Sequence, residues 1–246
     1  MSPERYQRIR QVLERRQTDL TVCLENVHKP HNVSAVVRTC DAVGIHRVHT
    51  VWEKKYQFRR GTAMGSQQWV RQTNHDNIND AMAELKGQGM QVLVTHLSDT
   101  AVDFRDIDYT KPTAILFGQE KYGASDEAKA VADHDIVIPM MGMVQSLNVS
   151  VAAALVLYEA QRQRTIAGMY NTQQLPEEEC QALAFQNGYP RLYKLCQRKG
   201  LPLPTQRFAF ANAKVCLCLL LTPLVKWMPT IAGGKKCRSQ KQKQTR

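Results

Sequence analysis

The strongest constraint on this 246-residue chain is the alternation of short apolar, β-rich runs with longer segments of helical period. Leu20–Leu24 (LTVCL), Arg47–Trp52, Met90–Leu97, Thr113–Phe117 and Ile136–Ile138 read as strands. Between and after them, apolar residues recur at helical spacing in 32–43 (Val33, Val36, Val37, Cys40), in 77–86 (Ile78, Ala81, Met82, Leu85) and in 147–163. Asn32 is a good N-cap for the first, and Gly87 and Gly89 close the second. Runs such as VLVTHL and AILFG are apolar on both faces, which predicts a mostly parallel sheet flanked by helices, an α/β fold. Residues 53–75 are polar and read as a long loop, while 147–156 is apolar nearly all round and reads as a buried helix. Sheets of this kind hold ligands at the carboxyl ends of their strands, here in the loops after Leu24, Phe117 and Ile138.

Composition narrows the class. The formal net charge is +11, yet Glu179 is the last acidic residue: residues 1–179 hold all 22 acids and 20 of the 33 Lys/Arg, a net of −2, and residues 180–246 hold +13. A basic appendage on a near-neutral body fits a polyanion partner such as nucleic acid, or else a solvated tail. The first 17 residues (MSPERYQRIRQVLERRQ) are charged throughout, so no secretory signal is expected. The most apolar window, 215–227, is 13 residues long and is broken by Pro223 and Lys226, so no membrane span is expected. Seven cysteines without a CxxC pair, and seven histidines without HxxxH spacing, predict free thiols in a reducing cytoplasm and no metal. G-x-G-x-x-G after the first strand, Walker A, HExxH and GxSxG patterns are all absent.

Three segments carry candidate chemistry. In Asn32–Thr39 (NVSAVVRT), Arg38 points away from the Val33/Val36/Val37 face; the segment is either an anion-binding helix start or a capped surface helix. In 115–123 (ILFGQEKYG) a buried strand ends on Gly118, which lets a ligand approach the backbone, and hands over to Glu120, either a functional acid or an ordinary first-turn carboxylate. In 138–150 a strand breaks at Pro139 into a Met-rich apolar loop, followed by Ser146 and Asn148. Such a loop is expected to be covered, either by packing into the core or by a flat apolar group such as an adenine ring.

In this order and at these intervals, NVSAVVRT, ILFGQEKYG and IPMMGMVQSLNVSVAAAL resemble the motifs of the SpoU/TrmH family of RNA 2′-O-methyltransferases, over about residues 1–204. The resemblance implies a SPOUT-type domain whose C-terminal part passes through a deep trefoil knot, a feature too rare to reach from pattern, and a homodimer formed through the knot region with composite active sites. It implies four segments: an N-terminal basic helix (1–18), the methyltransferase domain (19–166), a C-terminal helical extension (167–204) and a divergent basic tail (205–246). Asn32, Arg38, Glu120, Ser146 and Asn148 occupy the catalytic-motif positions. Thr95, Gly118, Ile138, Met140, Gly142 and Leu147 are implied contacts of a bent S-adenosylmethionine. The implied reaction is methylation of the ribose 2′-hydroxyl of a guanosine, position 18 in the D-loop of tRNA; ribosomal RNA as substrate, or a non-catalytic RNA-binding role, are the alternatives. Arg38 is implied as general base, or as a charged group gripping phosphate. Arg8, Arg15 and Arg16, with Arg191, Lys194, Arg198 and Lys199, are the phosphate-contact candidates. From Thr205 the resemblance stops.

Overall fold

The computed structural model describes residues 1–52 and 65–203. Seven parallel strands form one sheet in the order β3-β2-β1-β6-β4-β7-β5. They are β1 (Leu20–Glu25), β2 (Arg47–Val51), β3 (Arg71–His75), β4 (Gln91–Thr95), β5 (Val102–Asp103), β6 (Thr113–Phe117) and β7 (His134–Val137). β1 and β6 are buried along their whole length, as their unbroken apolar runs require of central strands. The chain works outward from β1 through β2 to β3, while β6 and β4 lie on its other side, so the order reverses between β1 and β6. That reversal opens a crevice beyond the strand ends, where open α/β sheets bind ligands.

Helices cover both faces. On one side α2 (Pro30–Ala42) and α5 (Val149–Ile166) pack over Leu20, Val22, Leu24, Ile115 and Phe117. On the other, α3 (Ile78–Gly87) and α4 (Asp126–Val131) cover Cys23, Val92, Ala114 and Leu116. A separate small core joins α1 (Pro3–Glu14) to α6 (Glu177–Gly188) through Ile9, Leu13, Cys180, Leu183 and Ala184, and α7 (Pro190–Lys199) follows. No helix among the described residues is long and apolar enough to cross a membrane.

The fully buried Arg164, on α5, binds three stretches of chain together. Its guanidinium donates to the carbonyls of Tyr109 (2.9 Å), Lys111 (3.0 Å) and Asp19 (3.2 Å), and pairs with the Asp19 carboxylate at 2.5 Å and with Gln17 Oε1 at 3.0 Å. Every donor on this cation has an acceptor, which is the condition for burying it.

Several expectations need correction. Residues 71–75, read as part of a long loop, form the edge strand β3; of the rest of that expected loop, 66–68 form a single 3-10 turn and 53–64 lie outside the described residues, as does the tail from 204. β5 and α4 were also invisible to pattern. α2 starts two residues early, because Pro30 is pre-set for a first helical position, so Asn32 lies inside the first turn and is not the cap. α5 is not buried all round: Val151, Leu155, Tyr158 and Ile166 stand exposed along one side.

Candidate active site

The loop after β6 is shaped by what it cannot hold. A Cβ built on Gly118 would lie 2.2 Å from Ala124 N and 2.3 Å from Gly123 O, because the chain folds straight back on itself. Gln119 and Gly123 close that fold with two backbone hydrogen bonds of 2.9 and 2.8 Å, and Gly123 takes the left-handed φ of 75° that the turn needs. Glu25, at the end of β1, accepts from Ser125 N at 2.9 Å and pins the loop's exit, where Ser125 caps α4.

This loop carries Glu120 to the mouth of the crevice, where the three segments singled out in the sequence meet. Asn32 Nδ2 donates to Glu120 Oε1 at 2.7 Å, and Asn32 Oδ1 accepts from Asn148 Nδ2 at 3.1 Å. Asn148 is the N-cap of α5, its Oδ1 accepting from Ser150 N at 2.8 Å and Ser150 Oγ at 2.7 Å. Asn32, at 1% exposure, is the buried centre of the network. Burial would raise the Glu120 carboxyl, but the Asn32 amide, the backbone N–H groups of Glu120 and His28, and the Lys29 charge together hold it below its ordinary value. Glu120 is therefore an ionised acceptor with a fixed orientation.

Beside it opens a cavity of about 540 Å³, within the usual size range of small-molecule sites. Thr95, Gly118, Ile138, Met140 and Leu147 line it, as do Glu120, Ser146 and Asn148. Five of the six expected cofactor contacts thus converge; Gly142 does not line the cavity. Phe117, Ile136 and Ala152 give it apolar walls, and the space a side chain at 118 would need is taken by the returning backbone of Gly123 and Ala124, so the glycine serves that close turn rather than the approach of a ligand. A pocket with apolar walls among polar side chains suits a nucleoside such as that of S-adenosylmethionine. Lys29 and His96, overlooked in the sequence, also line it. Lys29 could have been found by its place just before the proline that starts α2.

Arg38 is exposed, does not line this cavity and has no hydrogen bond or ion pair among the described residues. The Met-rich loop corrects an expectation: in the single chain it is not covered, Met141 being 97% and Met143 98% exposed.

The phosphate-contact candidates divide. Arg8 on α1 and Arg15 at its C-cap are exposed, beside a second cavity of about 680 Å³ that Trp69 and Tyr170 also line. Arg16 is corrected: at 1% exposure it turns inward, donates to Ile45 O at 2.9 Å and pairs with Asp41, which leaves it no role at the surface. Arg191, Lys194 and Arg198 lie along one face of α7 and line a shallow groove with Gln197, and Lys199 stands exposed at the helix end.

The chain matches the SpoU rRNA Methylase family over residues 19–158, and the C-terminal SpoU, rRNA methylase family over 162–206. It is 63% identical over 207 residues to a tRNA (guanosine(18)-2′-O)-methyltransferase of Escherichia coli, covering 83% of this chain and 90% of that protein. The like-named protein of Thermus thermophilus is 55% identical over 175 residues, 71% of this chain and 90% of the relative. Among solved structures, the Aquifex aeolicus TrmH/SpoU tRNA modifying enzyme superposes with a TM-score of 0.71 at 47% identity, covering 76% of this chain and 96% of that one. The SpoU methyltransferase AviRb of Streptomyces viridochromogenes, in complex with the cofactor AdoMet, gives 0.56 at 26% identity, covering 61% and 62%. With three motifs joined at the switch point of a parallel sheet, a family model matched over 19–158 and a relative 63% identical over 83% of the chain, the chain belongs to the SpoU family of RNA methylases.

Proposed function

We propose that this chain methylates the ribose 2′-oxygen of guanosine-18 in the D-loop of tRNA, acting as a homodimer in the cytoplasm with S-adenosylmethionine as donor. The observation that carries the reading is the Glu120–Asn32–Asn148 network at the mouth of the cavity, supported by relatives that bear the tRNA guanosine-18 name. When bound, the donor would supply its sulfonium methyl group to the ribose 2′-oxygen, the O–C bond forming as the C–S bond breaks, so that S-adenosylhomocysteine leaves and the hydroxyl gives up its proton. Thr95, Gly118, Ile138, Met140 and Leu147 would hold the donor, with Gly142 and the rest of the Met-rich loop closing over it. Glu120, Asn32 and Asn148 orient the ribose, and Ser146 lies beside them. A guanidinium stays protonated at physiological pH, so Arg38 acts as a charge: it grips an RNA phosphate and stabilises the developing alkoxide, and solvent takes the proton.

The knot and the dimer belong to the same proposal. The segment after β7 lines the same cavity as the loop beyond β6, and the chain then packs as α5 against α2, an arrangement that supports the C-terminal trefoil knot proposed here. Val151, Leu155 and Tyr158 on α5, with Met141, Met143 and Val144 ahead of it, form an exposed apolar surface that a second copy would cover. It would also bring the free Arg38 of one copy toward the cavity of the other. Arg8, Arg15, Arg191, Lys194, Arg198 and Lys199 supply phosphate contacts. Labelled-methyl transfer to unmodified tRNA tests the reading: incorporation that vanishes when guanosine-18 carries a 2′-deoxyribose supports it. Incorporation only into ribosomal RNA, or none with folded protein, overturns it.

A further inference from the structure

A group of donors away from the methyl-transfer cavity has no part in the reaction. His49 lies in the middle of β2 and His75 closes the edge strand β3; both face α3, which carries Glu84. His49 Nδ1 and His75 Nε2 are 2.8 Å apart, with the ring planes at 17° and the centroids at 5.1 Å, and His75 Nδ1 lies 4.0 Å from Glu84 Oε2. One donor atom from each residue falls within 4.8 Å of the others.

We propose that His49, His75 and Glu84 bind a single divalent transition-metal ion of the zinc type. Two imidazoles and a carboxylate are the donor set of a zinc site that keeps a fourth position for water. The two ring nitrogens facing each other share one proton, and a metal in its place would engage the lone pairs of both rings. Arg47, on the same face of β2, opposes a cation, but its guanidinium is directed to Thr73 Oγ1 at 2.9 Å, and the Glu84 carboxylate offsets it. Glu84 is exposed, which gives an ion a way in from solvent and lets the side chain close the triangle. Positions 49, 75 and 84 sit on three separate elements, so no metal-ligand spacing marks them in the sequence. Bound there, the ion would tie the polar edge strand β3 to α3.

The test is cobalt(II) titration of the chelator-stripped full chain. The site predicts visible d–d bands of a low-coordinate ion, no thiolate charge-transfer band, displacement by zinc(II), and a higher Tm with zinc. Glu84→Gln, at an exposed position, and His75→Gln should each weaken cobalt binding by at least about tenfold, since even groups behind a ligand carry that much affinity. No visible spectrum, equal affinity in wild type and both variants, or a thiolate band placing the ion on cysteine would each overturn the proposal.

Discussion

Asn32 gives its side-chain amide to Glu120 at 2.7 Å across 88 residues of chain, and this one bond sets the direction of the carboxylate at the crevice mouth. Asn32→Ala removes a bond to a charged group, of the order of 1.5–3 kcal/mol, and frees Asn148 as well. Single-turnover methyl transfer should fall about 10–100-fold while donor binding changes little. In Asn32→Asp the donor becomes a second carboxylate, and the acid limb of the pH–rate profile should move to higher pH.

Arg38 has no partner among the described residues, so replacing it leaves the body of the protein intact. If it acts through charge, Arg38→Lys should keep substantial single-turnover methylation with an unshifted pH–rate profile, and Arg38→Ala should not. A lysine variant whose profile moves, or whose rate matches the alanine variant, would return the role of base to Arg38.

Gly118→Ala places a methyl group 2.2 Å from backbone of the returning loop. Backbone has to move, at a cost of about 1–3 kcal/mol. Calorimetric titration with S-adenosylmethionine should show binding weakened roughly 10–100-fold, with the far-ultraviolet circular dichroism unchanged.

Arg164→Ala strands the Asp19 carboxylate, the Gln17 amide oxygen and the carbonyls of Tyr109 and Lys111. Breaking a buried pair in this way costs about 3–5 kcal/mol. Denaturant unfolding should show a lower midpoint with the slope preserved.

Glu177 ties α6 to Arg10 on α1 through bonds of 3.1 and 2.9 Å. The Arg10 guanidinium first, then Gln181 and Gln173, hold its carboxyl down at about 2, against an ordinary 4.5. Because the folded value is the lower one, the contribution is complete above pH 4.5 and is lost as pH falls toward 2. The pair is solvent-exposed, so the effect is small. Thermal unfolding of wild type and Glu177→Gln should differ most at neutral pH and converge as pH drops through that window.

How much of this was legible depended on burial. LTVCL and AILFG declare β1 and β6 because central strands are apolar on both faces. RQTNH conceals β3, because an edge strand with one covered face and hydrogen bonds on one side tolerates polar residues. The loop residues Gly118, Glu120 and Asn148 were found by their positions beside strand ends, yet pattern alone could not tell that Asn32 joins them, since that depends on where α2 begins. Arg16 shows the opposite failure. It reads as one more surface cation among arginines, and only the backbone bridge of Gln17 to Ile45, just ahead of β2, turns it toward Ile45 O.

The cross-linking by Arg164 also bears on the order in which the protein can be made. Asp19 and Gln17 leave the ribosome early, but the cation that neutralises and satisfies them is some 145 residues further on. A nascent chain shorter than this has β1 synthesised and its first helices available, yet it cannot close the end of the sheet where Asp19, Tyr109 and Lys111 converge. Long-range contacts of this kind are late ones. Completion of the fold is therefore tied to completion of α5, and fragments released before it would carry an uncompensated carboxylate into the position where the finished protein pairs Asp19 with the fully buried Arg164.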